Sequence, residues 1–110
     1  MRRNRPRTFL ELSSRRSRSE ILHDIIVTVA ERVKRGRHFR LVGLSWGPYK
    51  MYITQALELG IIEEVMNQPG DVHYRKNPEL AYVATEKGSV WARRFWEISK
   101  SLYGLEEVKV

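Results

Sequence analysis

The chain has 110 residues, with 20 Lys and Arg against 13 Asp and Glu, a formal net charge of +7, and 42% hydrophobic residues. That length suits one domain with a single modest core, and the composition is that of a folded chain rather than a wholly disordered one. Cysteine is absent, which excludes disulfides, thiolate zinc sites and cysteine nucleophiles.

The charge is unevenly placed. Arg2, Arg3, Arg5, Arg7, Arg15, Arg16 and Arg18 face a single acid, Glu11, leaving about one net positive charge for the rest of the chain. A basic arm on a nearly neutral body points to a polyanion, either nucleic acid or an anionic membrane surface. The plainer alternative is a solubilising tail. No apolar run approaches the ~20 residues of a membrane span. The arginine-rich start also lacks the apolar stretch and cleavage site of a secretion signal, so a cytoplasmic address is expected.

In chain order, residues 1–16 read as a basic flexible arm, ordered at most around Phe9, Leu10 and Leu12, a patch able to dock on the body or on a partner. Ser17-Arg-Ser-Glu20 matches a capping box and opens a first helix over about 18–35. Ile21, Leu22, Ile25, Ile26, Val29 and Val33 form its apolar stripe, His23 is expected half-exposed, and Gly36 is expected to end it. Arg37–Leu44 fits a two-turn helix or a strand. A short helix is expected, because a capped helix follows with almost no connecting loop.

That next helix begins at Ser45, whose hydroxyl is expected to cap it; Gly47 and Pro48 fall in its first turn. Tyr49, Tyr52, Ile53, Ala56 and Leu57 recur at helical spacing as its buried face, and Gly60 supplies a left-handed stop. A strand over Ile61–Val65 and a returning strand over Leu80–Ala84 make a hairpin, with Pro69-Gly70-Asp71 and Asn77-Pro78 turning the chain between them. His73, Arg75 and Lys76 make the hairpin loop basic. Thr85 caps a last helix running to about Tyr103, about 27 Å long, and residues 104–110 read as a tail.

The last helix carries two seams, one of Trp91, Phe95, Ile98 and Leu102, the other of Ala92, Trp96, Ser99 and Tyr103. One small domain rarely buries both. A homodimer is therefore expected, with Trp91, Ala92, Phe95, Trp96, Ser99, Leu102 and Tyr103 at the interface; packing of the whole surplus onto the first helix is the alternative. The predicted fold is α+β: three helices, a two-stranded β-hairpin and a long C-terminal helix, in one domain over 17–103.

Four stretches resemble the archaeal winged helix-turn-helix family of DNA-binding proteins and transcription regulators. They are Arg18-Ser-Glu-Ile-Leu22, Leu44-Ser-Trp46, Leu57-Glu-Leu-Gly-Ile-Ile-Glu63 and Tyr82-Val-Ala-Thr-Glu-Lys-Gly88. The resemblance spans about residues 17–103. It implies double-stranded DNA as partner, a regulatory or chromatin-type, nucleoid-associated role, and dimerisation through the last helix. Gly47-Pro48 departs from the family pattern.

A helix that reads a major groove needs outward side chains and flanking phosphate contacts. With Tyr49, Ile53 and Leu57 inward, the outward positions are Trp46, Gly47, Lys50, Met51, Thr54, Gln55 and Glu58, and Ser45 before them is also an expected DNA contact. Lys50 suits phosphate or guanine, Gln55 adenine, and Thr54 several bases, while Trp46 and Met51 offer apolar contact. Arg37, Arg40, His73, Arg75, Lys76 and the arm arginines Arg2, Arg3, Arg5 and Arg7 are the expected phosphate contacts. This recognition face is poorly basic, which keeps open a protein-interaction or RNA-binding module of a larger assembly. Enzymatic chemistry is not expected: no metal-ligand spacing, glycine-rich phosphate loop or nucleophile elbow occurs, and no cofactor is implied.

Overall fold

The computed structural model describes residues 8–12, 15–29, 35–66 and 80–102. A 3-10 turn, Phe9–Glu11, is followed by α1 (Arg18–Val29), α2 (Arg35–Val42), α3 (Trp46–Glu58), β1 (Ile62–Met66), β2 (Leu80–Ala84) and α4 (Glu86–Leu102). Among the described residues the fold is thus α+β, four α-helices with one two-stranded antiparallel sheet. β1 and β2 pair with Ile62 opposite Ala84 and Met66 opposite Leu80. No helix among the described residues is long and apolar enough to cross a membrane.

α1 is the central element. The capping box forms as expected, with Ser17 N–H donating to Glu20 Oε1 at 2.6 Å and Glu20 N–H to Ser17 Oγ at 3.2 Å. The expected stripe is buried from Ile21 to Val29, but so are His23, Asp24 and Thr28. α1 is therefore covered nearly all round rather than on one face. Around it, Val42, Tyr49, Ile53, Ala56, Ile61, Ile62 and Ala92 complete one core.

The two helices that follow end in the same way. Gly43 (φ +76°) and Gly60 (φ +72°) both take the left-handed conformation that other L residues resist. Gly43 and Leu44 N–H groups bond the carbonyls of Arg40 and Phe39, and those of Gly60 and Ile61 bond Leu57 and Ala56. Each is a Schellman stop that turns the chain sharply after its helix. Ile61 N–H is thereby spent on the helix end, so β1 begins at Ile62 instead of Ile61.

Several expectations are corrected. Gly36 does not end the first helix: Arg35 and Gly36 belong to the first turn of α2, where glycine costs little because those amides have no intrahelical partner. Ser45 occupies the N-cap position of α3 with extended backbone, yet its hydroxyl makes no capping bond. The third helical residue is Pro48, which lacks the N–H that such a hydroxyl usually binds. His23 is 2% exposed rather than half-exposed.

Residues 8–12 and 15–16 are not a free arm either. Phe9 is 1% exposed, packed at ring-centroid distances of 4.8 Å from His23, 5.0 Å from Trp96 and 5.5 Å from Phe95. The segment is held by one buried carboxylate. Asp24 Oδ1 accepts from Phe9 N–H at 2.7 Å, and Oδ2 accepts from Leu10 N–H at 3.0 Å and from Arg16 Nη1 at 2.8 Å. Because a carboxylate only accepts, His23 donates its Nδ1–H to Oδ1, 3.0 Å away.

Candidate nucleic-acid interface

The candidate site is the exposed side of the α2–turn–α3 unit. Gly43, Leu44 and Ser45 are the whole connection between the two helices. A turn this short fixes their crossing and leaves the first turns of α3 projecting. Behind it, Tyr49 and Ile53 anchor α3 in the core at 3% and 4% exposure.

A polar thread runs through the same junction. Thr28 Oγ1 donates to the Asp24 carbonyl at 2.6 Å and lies 2.7 Å from His38 Nε2, while His38 Nδ1 lies 2.8 Å from the Tyr49 hydroxyl. With the Thr28 proton committed to Asp24, His38 must donate from Nε2 and accept from Tyr49 at Nδ1. The ring is thus neutral with both nitrogens used, and burial pushes its pKa down from 6.5 to about 4. His38 thereby ties α1, α2 and α3 together.

Tyr49 in turn supports an exposed aromatic residue. The Trp46 indole stacks on the Tyr49 ring at 5.8 Å and meets Phe39 edge-on at 5.6 Å, while half of Trp46 remains open to solvent. Arg40, Ser45, Gly47, Pro48, Lys50, Met51, Thr54 and Glu58 are also exposed. The Arg40 guanidinium lies 5.7 Å from the centre of the Phe39 ring, and Thr54 Oγ1 donates back to the Lys50 carbonyl. The resulting surface is a propped indole and a methionine with Arg40 and Lys50 as its described cations.

Gln55 departs from its expected outward position. It is half-buried, and its Oε1 is enclosed without a hydrogen-bond partner. It lies three residues after Tyr52, at the edge of the apolar stripe rather than opposite it. It is therefore a weaker candidate for a base contact than Lys50 or Thr54.

The far end of α3 is tied to α4. Thr85 caps α4 as expected, accepting Gly88 N–H at 3.0 Å, and donates its own proton to the Gly60 carbonyl at 2.6 Å. Thr85 N–H bonds the Ile61 carbonyl, and Lys87 Nζ donates to the Leu59 carbonyl at 2.8 Å. The helix-glycine-strand and strand-Thr-helix stretches thus meet in space, holding the α3 end opposite the exposed Trp46.

Two residues of the expected interface on α4 are internal, and three more are half-buried. Ala92 and Ser99 are buried within the protomer at 4% and 6% exposure, which removes them from any surface a partner could touch. Trp96 stacks on His23 at 5.6 Å, and Trp91 on Phe95 at 5.1 Å, so these rings are already partnered. The docked Phe9 packs against the Phe95 and Trp96 rings, which stay half-buried. Among the described seam residues Ile98, at 69% exposure, is the most open.

Arg2, Arg3, Arg5, Arg7, His73, Arg75, Lys76 and Tyr103, with the side chains of Arg37 and Leu102, lie outside the described residues. The sequence reading named Phe9 as a docking residue but missed Asp24 and His38 as organising groups. The available signal was Asp24 and Thr28 four residues apart among the apolar residues of one helix, where buried polar groups require partners. The chain matches no protein-family model, no curated protein and no solved structure.

Proposed function

We propose that the chain is a winged helix-turn-helix protein that binds double-stranded DNA, as a transcription regulator or a chromatin-type protein. The observation that carries this reading is α2 joined to α3 by a three-residue turn, with the outer face of α3 uncovered and an antiparallel β-ribbon following. In this reading α3 enters the major groove. Arg40 and Lys50 contact phosphate or guanine, Thr54 contacts a base, and Trp46 and Met51 make apolar contact. The arginines before Thr8 and the cations between the two strands supply most of the attraction.

The exposed Trp46 and Met51 favour a second reading, an RNA- or protein-binding module in a larger assembly. Salt-dependent mobility shifts on random duplexes, with single-stranded RNA as competitor, separate the two. If about six cations neutralise phosphates, log affinity falls against log salt with a slope of about −5. Removing residues 2–7 should flatten that slope. Preference for RNA, or no shift on duplex at low salt, refutes the first reading. A homodimer, as part of this proposal, rests on Ile98, the most open apolar residue of α4 among the described side chains, with the half-buried Trp91, Phe95 and Trp96 beside it.

A further inference from the structure

A cleft of about 370 Å³ opens on another part of the molecule, between the start of α1, the α3–β1 junction and the first turns of α4. Leu22 and Ile61 form its floor, Leu59 and the Trp91 indole its walls, and Arg18 and Lys87 bring cationic groups to it. No acidic residue is among those that line it. Leu22 and Ile61 are buried at 5% exposure, and the indole is fixed by its parallel stacking on Phe95, 9° between the planes. The floor and the indole wall are therefore firmly held and apolar, while Leu59 is an apolar wall more open to solvent, at 44% exposure.

The two cations are differently committed. Lys87 uses one proton on the Leu59 carbonyl and retains others. Arg18 has no hydrogen-bond or ion-pair partner among the described residues, although its planar fork matches a carboxylate. The α1 capping box already occupies backbone amides of that helix end, so attraction for an anion comes from these side chains.

We propose that this cleft binds a small aromatic carboxylate. The ring packs between the Trp91 indole and Leu22, and the carboxylate meets Arg18 with Lys87 as the second cation. The volume lies at the low end of the ~300–1,000 Å³ of small-molecule pockets, which suits one or two rings. Two unopposed cations over an apolar floor select an acid over a neutral aromatic or an amine. The site does not depend on what the α3 face binds. Because the ligand would touch Leu59 and Lys87, it also braces the α3–α4 junction, so binding should raise the melting temperature.

The test is calorimetric titration of the full chain with 1-naphthoate, alongside its neutral counterpart 1-naphthalenemethanol. Amide shifts at Leu22, Ile61 and Trp91 locate the ligand. Saturable binding centred on those residues is expected, with the alcohol about tenfold weaker or more. Arg18→Gln, a substitution at an exposed position, should weaken naphthoate by a similar factor while leaving the alcohol unchanged. Arg18→Lys should restore part of the loss. No saturable binding, equal affinity for the alcohol, or an unchanged affinity in Arg18→Gln overturns the proposal.

Discussion

His38 makes the α1–α2–α3 junction sensitive to acid. Burial holds its pKa near 4 against 6.5 for an exposed imidazole, so the unfolded chain takes up the proton first as pH falls. Between those values the unfolded state binds more protons, and stability rises with pH. The contribution is complete above about pH 6.5 and is lost as pH falls toward 4. A shift of this size corresponds to about 3 kcal/mol at ~1.4 kcal/mol per pH unit. Urea unfolding of the wild type and His38→Gln from about pH 7.5 to pH 4 reads it as a difference in slope, because the other titrating groups are common to both proteins. An NMR titration of the His38 ring gives the midpoint directly. A midpoint near the ordinary value, or equal pH slopes, would refute the account of a neutral ring held between Thr28 and Tyr49.

Other consequences can be checked on the same footing. Asp24→Ala leaves the buried Arg16 guanidinium and the Phe9 and Leu10 amides without their acceptor, and should cost about 3–5 kcal/mol in urea melts. It should also raise proteolytic cleavage around residues 8–12; unchanged cleavage would mean that this carboxylate does not hold the segment. Gly88→Ala places a methyl group against the Ile61 carbonyl oxygen, a backbone atom with little room to yield. About 1–3 kcal/mol of destabilisation is expected, and a loss below the error of the melts would argue against the close approach of α4 to Ile61 in the α3–β1 turn. Lys50→Glu combined with Arg40→Glu should weaken duplex binding by tenfold or more, about 1.4 kcal/mol, with no effect moving the site away from α3. Ile98→Glu should convert a dimer to monomer in sedimentation velocity, and a wild type that is monomeric throughout removes the dimer from the proposal.

The elements of this protein were legible in the sequence because their signals are local. A capping box at Ser17–Glu20, helical spacing from Tyr49 to Leu57, a glycine stop at Gly60 and Thr85 before a helix each act within a few residues, and each is seen in the structure. The shortness of the α2–α3 connection follows from the same reasoning, although the second Schellman stop at Gly43 carried no comparable mark. Boundaries failed where neighbouring positions compete. Arg35 and Gly36 went to α2, and Pro48 removed the amide that Ser45 was expected to cap.

Tertiary structure alone decided what the polar and aromatic surplus does. Asp24, His23 and Arg16 look solvated in a linear reading, but α1 is covered on nearly all sides, and a buried charge must be met by partners distant in the chain. The same long-range packing places Phe9 against Trp96 and His23, so part of the aromatic surplus of α4 is used within the chain. The sequence determined that α3 would start after Ser45, stop at Gly60 and be amphipathic, since those properties depend on neighbours along the chain. Which of its side chains stand free, Trp46 and Lys50 but not Gln55, depends on what packs beside them in space.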